Sequence, residues 1–221
     1  MSPILVARGI CRAFEGRKIL DGLDMDISRG EFVAVVGRSG VGKSTLLGVL
    51  GTHDRGFSGE LLIDGRDVGA MDDGELAGVR RELLGFVFQD FYLLPHLTAL
   101  ENVLLPAVFS GRDMGEATGR AEEVLERLSV RMDSTPTSVL SRGERQRVAV
   151  ARGLVNGPEL LLADEPSASL DEENERILFD LLDGLRLDRG FAMVAVIHST
   201  SVLGRADRIL ELSNGKLREV R

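Results

Sequence analysis

Lysine is scarce in this chain. Lys18, Lys43 and Lys216 are the only three, and the remaining 24 of the 27 Lys+Arg residues are arginine. A cationic surplus is missing too, since the net charge is -8 at pH 7. A nucleic-acid surface carries a basic footprint, so no nucleic-acid partner is expected, and the same balance gives no strong pull toward anionic lipid. Cysteine is reduced to Cys11, which excludes an internal disulfide, suits a reducing cytosol and reads as a small buried residue of an N-terminal strand. Long apolar runs are absent. The longest candidate, Phe191 to Ile197, is strand-sized, whereas crossing a bilayer takes roughly 20 apolar residues. The opening MSPILVARGICR lacks the basic start and extended apolar stretch of a secretory signal. These absences predict a soluble cytosolic chain that reaches a membrane role only through a separate membrane-spanning partner.

What is present is the periodicity of an α/β chain. With 221 residues the length suffices for one sizeable core and an inserted subdomain. Ile4 to Ala7, a piece ending near Phe14, and Leu23 to Ile27 alternate and read as three short antiparallel strands. Glu31 to Gly37 is continuously apolar and predicts a strand buried on both faces, followed by a helix from Lys43 to about Leu50. Gly59 to Gly65 reads as a strand and Asp72 to Leu83 as a helix. Thr98 and Glu101 form a capping-box start, and Met114, Ala117, Ala121, Val124, Leu125 and Leu128 recur at helical spacing. Residues from about 92 to 151 therefore read as a helical subdomain inserted into the core. The core resumes with a strand at Glu159–Ala163, a helix at Glu172–Leu187, a strand at Phe191–Ile197 and a hairpin turning at Asn214-Gly215.

Five places carry chemistry. GRSGVGKS, Gly37 to Ser44, lies between a buried strand and a helix, the context a phosphate loop needs. Gly37, Gly40 and Gly42 let backbone N–H groups approach phosphate oxygens, and the helix N-terminus favours an anion. Lys43 would reach the β- and γ-phosphates, and Ser44 would ligate Mg²⁺. With so few lysines, a chance match to this pattern is roughly a 1% event. Leu160 to Asp164 brings an acid to the C-terminal end of a buried strand, where ligands of open α/β sheets sit. Asp164 would hold the metal, and Glu165 is placed to polarise the water that attacks the γ-phosphate. Gln89 follows an apolar strand, from where its amide would ligate Mg²⁺ and report nucleotide state to the inserted helices. His198 ends another strand, placed to hydrogen-bond the γ-phosphate and orient the water. His53 and His96 lack such placement and read as structural. Ser141 and Glu144 fit a capping box, and a helix start exposing Ser141 and the Gly143 N–H is also an anion site.

Together these segments resemble the ATP-binding subunits of ABC transporters over essentially the whole chain. GRSGVGKST matches the Walker A motif, Gln89 the Q-loop, LSRGE (Leu140 to Glu144) the family signature and LLLADEP the Walker B motif. SASLD (Ser167 to Asp171) matches the D-loop, and His198 the switch histidine. The resemblance implies a P-loop NTPase (RecA-like) core with an antiparallel β-subdomain and an inserted α-helical subdomain, residues 1–221 forming one ATP-binding domain. It implies ATP and Mg²⁺, the nucleotide touching Phe14 through adenine and Gly37, Arg38, Ser39, Gly40, Val41, Gly42, Lys43, Ser44 and Thr45 through its phosphates. Metal contacts fall to Ser44, Gln89 and Asp164, and catalysis to Glu165 and His198. The resemblance further implies a head-to-tail homodimer in which Ser141, Gly143 and Glu144 of one copy close on ATP held by the other.

The flanking sequence resembles the lipoprotein-release and macrolide-export (LolD/MacB-like) branch, with the cell-division ATPase of the same branch close behind. That implies integral membrane permease subunits as partners and a peripheral position on the inner face of the cell membrane. Two readings follow. One is lipoprotein release or export of a lipophilic or peptide cargo; the other is mechanical activation of extracytoplasmic enzymes without transport. ABC ATPases of DNA repair or translation carry long coiled coils, zinc cysteines or tandem cassettes with a basic linker, none of which this sequence has. Three departures from the pattern stand out. Arg142 replaces the usual first glycine of LSGGQ, Glu144 replaces Gln, and IHST at Ile197–Thr200 replaces the commoner THD.

Overall fold

A computed structural model describes residues 2–168 and 170–221. In chain order the elements are β1 (Leu5–Phe14), β2 (Arg17–Ile27), β3 (Phe32–Val36), α1 (Lys43–Leu50), β4 (Phe57–Ile63), β5 (Arg66–Asp67), α2 (Asp73–Leu83) and β6 (Leu84–Val87). They continue with α3 (Ala99–Ser110), α4 (Met114–Arg127), α5 (Arg142–Leu154), β7 (Leu160–Asp164), α6 (Glu172–Arg189), β8 (Ala192–Val196), β9 (Arg208–Ser213) and β10 (Lys216–Glu219). The strands form a six-stranded sheet in the order β10-β9-β3-β8-β7-β6 and a four-stranded sheet in the order β2-β1-β4-β5. From β9 to β6 the larger sheet is parallel, and only β10 runs antiparallel, joined through Asn214-Gly215, both at positive φ. That is the turn geometry the Asn-Gly pair favours.

The apolar runs of the central strands follow from burial on both faces. In β3, Phe32 and Ala34 enter a core shared with the helices α3 to α6, while Val33 and Val35 enter a second core with α1 and the smaller sheet. Strands β7 and β8 divide in the same way, Leu161, Ala163, Met193 and Ala195 facing the first core and Leu162, Val194 and Val196 the second. The strand ends that carry Asp164 and the residues before His198 are therefore clamped from both sides.

The N-terminal reading needs correction. The first two of the three short strands predicted there are one strand, β1, which pairs along most of its length with β2, itself extended back to Arg17. Register shifts between Ala7 and Ile10, with Gly9 at φ 60, interrupt the alternation by which strands are recognised. Cys11 is half-buried and its sulfur accepts the Gly22 N–H. The predicted helical stretch holds α3, α4 and α5, which lie between the neighbouring parallel strands β6 and β7.

Candidate active site

The loop from Gly37 to Gly42 joins β3 to α1, and its shape depends on glycine at two points. Gly37 has φ 153 and packs so closely that a Cβ there would lie 2.5 Å from the Leu212 carbonyl oxygen. Gly42, the residue before α1, has φ 114, and a Cβ would lie 2.5 Å from the Ile19 side chain. No side chain caps α1, and its first turn contains no acidic residue. Arg38, Ser39 and Gly40 are exposed at the loop tip, while Val41 and Thr45 are half-buried. Lys43 is only 5% exposed. Its Nζ donates to the carbonyl oxygens of Gly37 at 3.0 Å and Arg38 at 3.1 Å, both neutral acceptors. A buried ammonium beside an uncapped helix start is a site prepared for an anion.

Strand β7 delivers Asp164 opposite this loop. Burial pushes the Asp164 carboxyl upward, opposed by the neighbouring Ser44 hydroxyl, and Glu165 pushes the same way as burial while Lys43 and His198 oppose it. Asp164 Oδ1 is buried without a hydrogen-bond partner. An orphaned carboxylate oxygen beside a hydroxyl fits a hard cation with oxygen ligands. Glu165 follows at φ 47, a left-handed backbone that costs a non-glycine residue roughly 1–2 kcal/mol. Strain of this kind collects where a side chain must be aimed. The Glu165 carboxylate meets His198 Nε2 at 2.6 Å across the ends of β7 and β8. A carboxylate only accepts, so Nε2 carries the proton and donates.

The remaining expected residues are dispersed. Phe14 ends β1 and is 46% exposed, with the Arg12 guanidinium 3.9 Å from its ring centre, so one face is covered and the other is open for stacking. Gln89 is exposed just beyond β6, one residue after Phe88. Phe88 lines an apolar cavity of about 280 Å³ that reaches Ser44 and Asp164. Ser141 caps α5, its Oγ donating to Glu144 Oε2 at 2.7 Å and accepting the Glu144 N–H at 3.3 Å. The Ser141 hydroxyl, and with it the Ser141 N–H donating to the same Oε2 at 2.9 Å, lowers the Glu144 carboxyl pKa. Gly143 is half-buried and Arg142 exposed. Within the D-loop match, Ser169 lies outside the described residues.

His53, read as structural, lines that same cavity and packs at a tilt against Phe86, with ring centres 4.4 Å apart and planes at 51°. Burial, and to a lesser degree Arg80, lowers its pKa, so the ring is neutral at pH 7. No motif marks it, because it follows α1 in a turn and meets Phe86 only through the fold. Arg12 carries no motif either, although it covers Phe14 from two positions back on the same strand.

The family description "ABC transporter" matches residues 20–168. The chain belongs to the ABC transporter family. It is 47% identical over 204 residues to the lipoprotein-releasing system ATP-binding protein LolD of Xanthomonas campestris pv. campestris (strain 8004), covering 91% of this chain and 85% of that one. It is 41% identical over 223 residues to the macrolide export ATP-binding/permease protein MacB of Escherichia coli (strain K12), covering 98% of this chain but 34% of that longer protein. A dimeric ATP-binding cassette solved in a post-hydrolysis state with ADP and Pi superposes with a TM-score of 0.89 at 36% identity, covering 98% of both chains. The chain is thus an ABC ATPase similar to the LolD and MacB branch, with the P-loop NTPase fold.

Proposed function

We propose that this ABC ATPase drives a membrane complex for lipoprotein release or export of a lipophilic or peptide cargo, hydrolysing ATP between two copies of itself. The observation that carries the reading is the 2.6 Å contact of Glu165 with His198, set beside Asp164 and opposite the uncapped start of α1. ATP lies with its phosphates on Gly37 to Thr45 and its adenine on the open face of Phe14. Lys43 exchanges the carbonyls of Gly37 and Arg38 for phosphate oxygens. Ser44, Asp164 and Gln89 would hold Mg²⁺, which would supply neutralisation of phosphate charge. Water attacks the γ-phosphorus in line while the bond to the β,γ-bridging oxygen breaks. Glu165 takes the water proton, ADP leaves with the electron pair, and His198 orients the reacting groups. Ser141, Gly143 and Glu144 of the second copy close the site.

The partner surface is a groove of about 530 Å³ lined by Arg80, Arg81, Phe86, Tyr92, Pro106 and Phe109, among others. Tyr92 is 67% and Phe109 83% exposed, an apolar display suited to a membrane subunit's cytoplasmic helix. The helical segment after Gln89, including Thr98–Val103, is expected from sequence to receive that helix; Tyr92, Pro106 and Phe109 of that segment line the groove, while Ala99, Asn102 and Val103 are buried. Among the described residues no helix is long and apolar enough to cross a membrane, so the reading places the chain peripherally, beneath permease subunits. Glu165→Gln should bind ATP, stop hydrolysing it and accumulate as an ATP-bound dimer in sedimentation analysis. A Glu165→Gln variant that stays monomeric and hydrolyses at the parental rate overturns the assignment.

A further inference from the structure

The helix start EENE, Glu172 to Glu175, reads as a solvated acidic turn, yet its members part company in the fold. Glu172 and Glu173 are exposed, whereas Glu175 is 6% exposed. Its Oε1 accepts the Ser167 hydroxyl at 2.6 Å and its Oε2 accepts the Ser201 hydroxyl at 2.8 Å. Ser167 lies in the turn that follows Glu165, closed by the Ala168 N–H to the Glu165 carbonyl at 3.1 Å. Ser201 lies in the loop that follows His198. Ser199 and Ser201 hydroxyls meet at 2.7 Å. Since the single Ser201 hydroxyl proton is committed to Glu175, Ser199 is the donor in that bond. The Ser201 N–H donates in return to Ser199 Oγ at 3.2 Å. Ser201, which reaches Glu175, lies one residue beyond the IHST segment, and Ser199 of that segment bonds to it.

We propose that Glu175 is a positioning residue for hydrolysis, its buried carboxylate tying the loop after Glu165 to the loop after His198 so that these two side chains stay in register. The proposal rests on the reading of Glu165 and His198 as the hydrolytic pair. Two ties then cross the same pair of loops, the outer one through Glu175 and the inner one between the reacting side chains. A cavity of about 450 Å³ is lined by Glu165, Ser167, Glu175 and His198 together, so nothing solid fills the space between the ties. The inner contact depends on the outer one for its geometry. Stability alone gives no reason for a carboxylate here, because an apolar side chain fills a buried position without desolvating a charge. What the carboxylate adds is direction: two acceptors aimed at two loops from the first turn of α6. A displacement near 1 Å at a reacting group costs on the order of a hundredfold in rate, so a partly released pair loses less than that.

Steady-state ATP hydrolysis by the purified full chain, with thermal melts as a fold control, tests the clamp. Glu175→Ala should lower kcat about tenfold and leave KM for ATP within about twofold, since the phosphate loop is untouched. Glu175→Gln, which keeps length and one acceptor, should recover to within about threefold of the parental rate. Exposed Ser201→Ala should lower kcat about threefold, and adding it to Glu175→Ala should cost nothing more, because the two act as one unit. If Glu175→Ala melts early, Ser201→Ala and Glu175→Gln carry the test alone. A parental kcat in a folded Glu175→Ala or in Ser201→Ala, a loss confined to KM, or losses that multiply in the double variant would each overturn the clamp. Glu165→Gln separates the two readings: if it is inactive while Glu175→Ala is parental, only the clamp fails, and if it stays active the underlying pair fails.

Discussion

Helices α1 and α5 both begin where a phosphate is expected, and they begin in opposite ways. At α1 no side chain caps the free N–H groups, the first turn has no acid, and a buried lysine points at carbonyls. At α5 Ser141 and Glu144 complete a full capping box, and the hydroxyl is already used twice. Every other α-helix has a side-chain cap and an acidic residue in its first turn. The α1 start is thus incomplete without a ligand, while the α5 start is complete without one. A single copy should bind nucleotide through α1, and α5 of a second copy should engage afterward, in competition with its own cap.

Removing the α1 cation gives the largest expected effect. Charge-assisted hydrogen bonds contribute about 1.5–3 kcal/mol, so Lys43→Ala should weaken ATP binding roughly tenfold to a hundredfold. Calorimetric titration of the single copy reads this directly. The fold should not suffer, because a buried charge with only neutral partners disappears. An unchanged Kd would mean that the phosphates lie elsewhere.

At α5 the loss should fall on pairing rather than on binding. Ser141→Ala removes the cap, at a cost of about 1 kcal/mol, and should lower the melting temperature by roughly 2–4 °C in a chain of this size. ATP affinity of the single copy should stay the same, while ATP-driven pairing of the Glu165→Gln background weakens about tenfold, as a lost charge-assisted contact does. Equal effects on binding and pairing would remove the contrast between the two helix starts.

Ordering the two ends this way depends on what a linear sequence displays. The phosphate loop, Asp164-Glu165 and the Ser141 cap are legible because each function is made by neighbours in sequence, next to an apolar run that names its own element. Glu175 is illegible because EENE gives no sign of which acid turns inward, and its partners sit in the loops that follow two other elements, β7 and β8. His53 is hidden for the same reason, its cavity wall coming from β6 and β7. The length of β1 was lost to a bulge, which breaks alternation without ending the strand. Arg142 was legible as an anomaly but not as a consequence.

The charge at the α5 start permits a finer cut. Hydrogen bonds from Ser141 depress the Glu144 pKa from its ordinary 4.5. The box therefore contributes fully above that value and is lost as pH falls through the depressed one. Melting the parental chain beside Ser141→Ala from about pH 7 to about pH 3 should show their difference shrinking at the acid end. A constant difference would mean that the hydroxyl, not the carboxylate, supplies the stability. Glu144→Gln keeps the acceptor and removes a negative charge from the place a phosphate must enter, so ATP-driven pairing should tighten by roughly twofold to fivefold.

Arg142→Gly, which restores the commoner signature, should change least. Glycine in the first turn costs about 0.5–1 kcal/mol, and losing a cation from a helix N-terminus returns about 0.3–1 kcal/mol, so the two nearly cancel. Arg142 is exposed, and no neighbour must move to accommodate either residue. What it adds is a positive charge beside the entry point for an anion, set against the negative charge of Glu144. Such a contribution is screened by salt. Pairing of the parental chain should therefore weaken more between about 50 mM and 300 mM salt than pairing of Arg142→Gly, with hydrolysis within about twofold at the lower salt. Equal salt slopes would show that Arg142 stays clear of the incoming phosphate, leaving Lys43 as the cation that decides where nucleotide binds.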